Sequence, residues 1–87
     1  MFVRLMVHGI GPQEFYQVLV IEADSFQAAR VAARSYLARH GKRLIAFDEA
    51  ETSEVLAEAV RLARVGPNPE GVLAATGYIF FNPGTEG

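Results

Sequence analysis

The segment from Val7 to Val20, VHGIGPQEFYQVLV, constrains the fold more than any other. Two apolar runs flank Gly9-Ile10-Gly11-Pro12. Glycine supplies positive φ and proline suits a turn corner, so Gly9, Gly11 and Pro12 read as a turn. A dinucleotide-binding glycine loop has a different context: it follows a strand and opens a helix whose N-terminus meets the phosphate. Here the loop opens a second strand, and the third glycine of that fingerprint is missing. The segment is therefore a β-hairpin.

The two strands have different patterns. In Phe2–His8, Val3, Leu5 and Val7 share one face, with Phe2, Arg4, Met6 and His8 on the other. In Phe15–Glu22, Tyr16, Val18 and Val20 occupy one face and Phe15, Leu19 and Ile21 the other. A strand apolar on both faces belongs inside a sheet covered on both sides.

The next stretch is helical. Asp24 or Ser25 caps it, with Gln27 at the capping-box position when Asp24 is the cap. Phe26, Ala29, Ala33, Tyr36, Leu37 and His40 form one stripe about 100° wide. Gly41 ends the helix, with Arg39, Lys42 and Arg43 near its negative end. Leu44–Phe47 reads as a short third strand. A second helix is predicted from Asp48–Ser53 to Val65, with Val55, Leu56, Ala59, Val60, Leu62 and Ala63 on its apolar face. Gly66-Pro67 stops it, and GPNPEG is a loop. Val72–Phe81 is the last strand, with Gly77 marking a bulge or a close approach, and 82–87 is a loose tail.

The predicted fold class is thus α+β: a two-layer sandwich with element order β-β-α-β-α-β, a four-stranded sheet carrying two helices on 1–87 as a single domain. The strand order is left open, with a ferredoxin-like arrangement as a relative. The core is predicted to hold Leu19, Ile21, Phe26, Ala33, Leu37, Leu62 and Ile79.

Composition narrows function mainly by exclusion. The chain has 87 residues, 51% apolar and 21% charged, with a net charge of −2. That profile is ordinary for a soluble globular domain. No apolar run reaches the ~18 residues of a membrane span, and MFVRLMV reads as a strand rather than a leader. The sequence contains no cysteine, which excludes disulfides, thiolate metal sites and thiol catalysis and favours the cytoplasm. Arginine outnumbers lysine seven to one, a bias in keeping with a GC-rich genome or a thermophile.

The two histidines have no paired metal spacing. His40, at the end of the helical stripe, reads as a packing or capping residue. His8 becomes a general base only with a carboxylate beside it; no such partner is evident, so it reads as an edge-strand surface residue. The acids Asp48, Glu49 and Glu51 lack the spacing and central glycine of a calcium loop, and they fit a helix N-terminus instead. Ser25, Ser35 and Ser53 sit in no nucleophile-elbow pattern. No catalytic, metal or cofactor-binding residue is assigned.

Two surfaces remain. Arg30, Arg34, Arg39, Lys42 and Arg43 form a basic window with no acid between them, which is the requirement for RNA or DNA contact. The aromatics that would stack on bases, Tyr78, Phe80 and Phe81, lie on a different element, and the net charge is negative. The other surface is apolar. Val72–Phe81 carries no charge, and apolar residues occupy both of its faces. An uncovered strand of this kind needs a partner. The leading expectation is a small cytoplasmic, non-catalytic interaction or regulatory protein acting as a homo-oligomer, a dimer in the first instance, with Tyr78, Phe80 or Phe81 as anchors. The alternatives are a nucleic-acid-binding module using Arg30–Arg43, and a small dimeric α+β enzyme.

Overall fold

A computed structural model describes residues 1–53 and 63–80. Its elements are β1 (Phe2–Ile10), β2 (Glu14–Glu22), α1 (Phe26–Arg39), β3 (Arg43–Ser53), β4 (Ala63–Arg64), β5 (Val72–Ala75) and β6 (Ile79–Phe80). One sheet contains all the strands, in the order β3-β1-β2-β5-β4, with β6 also on β2. Every pairing is antiparallel.

The hairpin is present as read. β1 and β2 pair without a break from Phe2↔Glu22 to Ile10↔Glu14. The glycines have different roles from those predicted. Gly11 alone of the two has φ in the positive range, at 154°. Gly9 lies within β1, where a Cβ would sit 2.6 Å from Phe15 Cζ. It is glycine to let the Phe15 ring approach the backbone. The turn packs against the end of α1, since a Cβ on Gly11 would sit 2.8 Å from the Gly41 carbonyl oxygen.

Helix α1 follows from its apolar spacing. Ala29, Ala33, Tyr36 and Leu37 are buried, and Phe26 is partly buried against the same core. Ser25 is the cap, its Oγ accepting from the Ala28 amide at 3.0 Å. The other end is closed by two backbone bonds, Gly41 N–H to Ala38 O at 3.1 Å and Lys42 N–H to Leu37 O at 2.8 Å, with Gly41 at φ 72°. This is the Schellman pattern, for which a left-handed glycine is the favoured residue. His40 is the C-cap; it is exposed, where the stripe had placed it inside.

The core lies between α1 and one sheet face. It joins Val3, Leu5 and Val7 of β1 to Phe15, Leu19 and Ile21 of β2, with Val72 and Ala75 of β5. The opposite face is also partly closed: Val18, Val20 and Ala74 are 6%, 2% and 1% exposed. The double apolar character of β2 is thus satisfied within the chain.

The two-helix, four-strand sandwich is not what forms. Among the described residues there is one helix, and the sheet is larger than four strands. The run from Asp48 to Ser53, read as the entry to a second helix, continues β3 along β1 to Phe2↔Ser53. Its composition favours a helix, but pairing to β1 decides the outcome, as strand context commonly overrides propensity. Ala63–Arg64, the predicted helix end, pairs with β5 instead. The stretch 54–62, with Leu62, lies outside the described residues. The ferredoxin-like relative does not form either: the element order begins β-β-α-β rather than β-α-β-β, only one helix is present among the described residues, and the strands run in the order β3-β1-β2-β5-β4.

The predicted last strand is divided. Leu19 faces Ala75 but Tyr16 faces Ile79, so three steps along β2 match four along the partner. The extra residue falls in Thr76-Gly77-Tyr78, where Gly77 had signalled a bulge. Thr76 holds the break: its N–H donates to Val18 O and its Oγ1 accepts from Val18 N–H, both at 3.0 Å. Gln17, buried on the core face, donates to Thr76 O at 2.9 Å. No described helix is long and apolar enough to cross a membrane.

Candidate functional site

The break in the last strand leaves a run of exposed apolar side chains. Beyond it, Tyr78, Ile79 and Phe80 are 37%, 56% and 53% exposed. They are three consecutive large apolar residues on a strand whose core faces elsewhere are closed. Ile79 was predicted to be buried. It projects on the Tyr16 side of the sheet, beyond the part of β2 that β5 covers. Phe81 lies outside the described residues.

Tyr78 anchors this segment. Its ring meets Phe15 edge-on with centroids 4.8 Å apart, and Phe80 follows at 6.2 Å. Lys42 Nζ lies 5.1 Å from the Tyr78 ring centroid. The Schellman turn fixes where the Lys42 backbone leaves the helix, so the end of α1 sets this contact. Phe15 is fully buried beneath Tyr78. The hairpin, the helix end and the last strand therefore converge on the same small region.

The structure brings one member of the basic window, Lys42, to the last-strand aromatics, and it engages two others elsewhere. Arg39 is held by Glu70 through Nε at 2.9 and 3.1 Å and Nη2 at 2.6 Å. This bond with Glu70 raises the Arg39 pKa further. Arg39 also lies over the Tyr36 ring at 5.9 Å, and Arg30 lies over Phe47 at 5.6 Å. Arg34 and Arg43 are exposed and make no ion pair among the described residues. The His40 ring packs on Tyr36 with centroids 4.5 Å apart and the planes tilted by 54°. Burial raises the Tyr36 phenol above its ordinary pKa, with Tyr78 and Glu70 adding to the shift and Arg39 opposing it.

Sequence reasoning missed two acidic partners. His8 is not on an edge strand, since β1 lies between β2 and β3. Its Nε2 is 3.2 Å from Glu14 Oε2, and its ring stacks on Tyr16 at 4.8 Å. The hairpin register carries the signal: once His8 faces Tyr16, Glu14 is its diagonal neighbour. Glu70 had no such signal, because it is 31 residues from Arg39 in the chain. It is placed by Asn68, whose side chain bonds Gly66 O at 3.0 Å, Val72 O at 2.7 Å and Val72 N–H at 3.0 Å. That network makes GPNPEG an ordered loop.

Another concave feature is a depression of about 320 Å³ lined by Met1, Glu22, Ala23, Asp24, Ala28, Ala32 and Glu70. His8 and the aromatic segment are both outside its lining, and its Glu70 carboxylate is the one held by Arg39. Among the described residues no group of three or more His, Cys, Asp or Glu could hold a metal ion. Compared with protein-family models, curated proteins and solved structures, the chain matches none.

Proposed function

We propose that this chain is a small, non-catalytic cytoplasmic interaction protein that works as a homo-oligomer through Tyr78–Phe80. The observation that carries the reading is the exposure of three consecutive large apolar side chains, 37%, 56% and 53%, at the end of a charge-free strand. Aromatic anchors in such a position dominate association energetics. The exposed area is small, however, and divided between the two sheet faces, with Ile79 on the Tyr16 side and Tyr78 and Phe80 on the Phe15 side. With ~150–250 Å² for a complete aromatic side chain, these exposures amount to about 300 Å². A stable complex buries about 800 Å² per partner. The segment thus supplies somewhat over a third of a standard interface, which implies weak, concentration-dependent association.

Binding to RNA or DNA is the second reading, favoured by the contact that brings the basic window to the last-strand aromatics, Lys42 over Tyr78. The same contact weakens it, because the cation lies over a ring that a nucleobase would need. Arg39 is committed to Glu70 and Arg30 to Phe47. The enzyme reading has His8 and Glu14 at 3.2 Å as its only support.

Light scattering on the wild-type protein and on Phe80→Asp tests the proposal. The wild-type mass is expected to rise with concentration and that of the variant to stay at one chain. Equal masses at every concentration would remove Tyr78–Phe80 as the contact surface. Retardation of single-stranded RNA at low salt that Lys42→Glu abolishes would favour the nucleic-acid reading.

A further inference from the structure

We infer that the partner of Tyr78–Phe80 is a second copy of this chain, joined by antiparallel addition of β6 to its twin across a two-fold axis. The inference rests on the interaction reading above and specifies its geometry.

The area argument selects the mode. About 300 Å² of exposed side chain is too little for face-to-face packing, for which about 800 Å² is usual. Strand addition supplements side-chain burial with main-chain hydrogen bonds, and it requires only a short unguarded edge. Among the described residues, β4 pairs with β5 at Ala74 and Ala75, and β6 pairs only with β2.

Among the described residues the sheet has two other edges: β4, only Ala63–Arg64 and carrying the charge of Arg64, and β3, which is guarded. His8 faces Ala46 while Gly9 faces Leu44, so Ile45 is an unmatched residue. Met6 faces Glu49 while Val7 faces Phe47, so Asp48 is a second. Arg43 and Asp48 are exposed along the same strand. Bulges and charges on an edge are the standard means of preventing strand addition. β6, Ile79–Phe80, has neither.

The absence of charge selects the occupant. A foreign strand bearing charges would place them, desolvated, against Ile79 and Phe80. A second copy places apolar residues against apolar residues at β6, since Ile79 and Phe80 carry no charge and neither do their neighbours Gly77 and Tyr78. The contact is self-complementary, as a two-fold interface must be.

The chain contains no cysteine, so single-cysteine variants report cleanly. Ile79→Cys and Ile45→Cys both alter exposed side chains. Each is treated with a short bifunctional thiol crosslinker, and self-association is measured on the same samples by sedimentation velocity. The expected result is dimer formation by both variants, with covalent dimer from Ile79→Cys only. Crosslinking through Ile45→Cys alone, or equally through both, would overturn the assignment to β6. Dimers that neither position captures would overturn strand addition while leaving self-association intact. Monomers throughout, in the wild type also, would remove the interaction reading itself.

Discussion

Replacing Gly9 with alanine tests how the hairpin supports the aromatic segment. The added Cβ would lie 2.6 Å from Phe15 Cζ, 3.0 Å from Phe15 Cε1 and 3.1 Å from the Arg43 carbonyl oxygen. The last is backbone of the neighbouring strand, so retreat in that direction shifts the ladder. Phe15 cannot yield freely either: it is fully buried, and Tyr78 packs edge-on against it. Overpacking of a closed site costs about 1–3 kcal/mol. Alanine gains about 0.5–1 kcal/mol over glycine in a strand interior. The net expectation is a loss of roughly 1–2 kcal/mol. Urea denaturation followed by far-UV circular dichroism measures it. Adding Phe15→Leu to Gly9→Ala should make the second change cheaper, because the clashing ring atoms are gone. A neutral or stabilising Gly9→Ala, or strict additivity with Phe15→Leu, would refute the close-approach explanation.

Three other expectations follow from the packing. Leu37 is fully buried, so Leu37→Ala should cost about 2–5 kcal/mol in denaturant unfolding; a loss under about 0.5 kcal/mol is a surface value and would mean the helix face is wrongly assigned. Asn68→Ala removes all three bonds of the 66–72 loop, one of them to the nearly buried Val72 amide, and should cost about 1–3 kcal/mol; an unchanged midpoint contradicts its role. The Tyr36 phenol is held above its ordinary pKa of 10.0 by burial first, and then by Tyr78 and Glu70 against Arg39. The unfolded chain therefore ionises first, and the contribution of the neutral phenol is complete below pH 10.0 and lost as pH rises through the higher folded value. Tyr36→Phe should flatten the alkaline fall in stability above pH 10.0; an identical pH profile would refute this.

The hairpin and helix were legible because each is specified locally. Gly11-Pro12 between two apolar runs sets the turn, and the 3.6-residue spacing from Phe26 to Leu37 sets the buried face, with Ser25 and Gly41 as its ends. β3 was not legible beyond Phe47. Asp48–Ser53 is rich in helix formers, and only the length of β1, to which it pairs as far as Phe2, draws it into the sheet. The sandwich prediction failed at that step. Val72–Ala75 and Ile79–Phe80 are strands as read, but Ile79 was assigned to the core because the extra residue in Thr76–Tyr78 changes where β2 ceases to be covered. His8–Glu14 required the hairpin register before it could be read. Arg39–Glu70 depends on a loop fold set by Asn68, which no periodicity encodes.

Sedimentation equilibrium of the wild-type chain from about 1 to about 300 μM, a range suited to weak interfaces, tests the central claim most directly. The account predicts a weight-average mass that starts near 9.5 kDa and climbs toward twice that value as concentration rises, with the climb abolished by Phe80→Asp. A single species at 9.5 kDa across the whole range would contradict it.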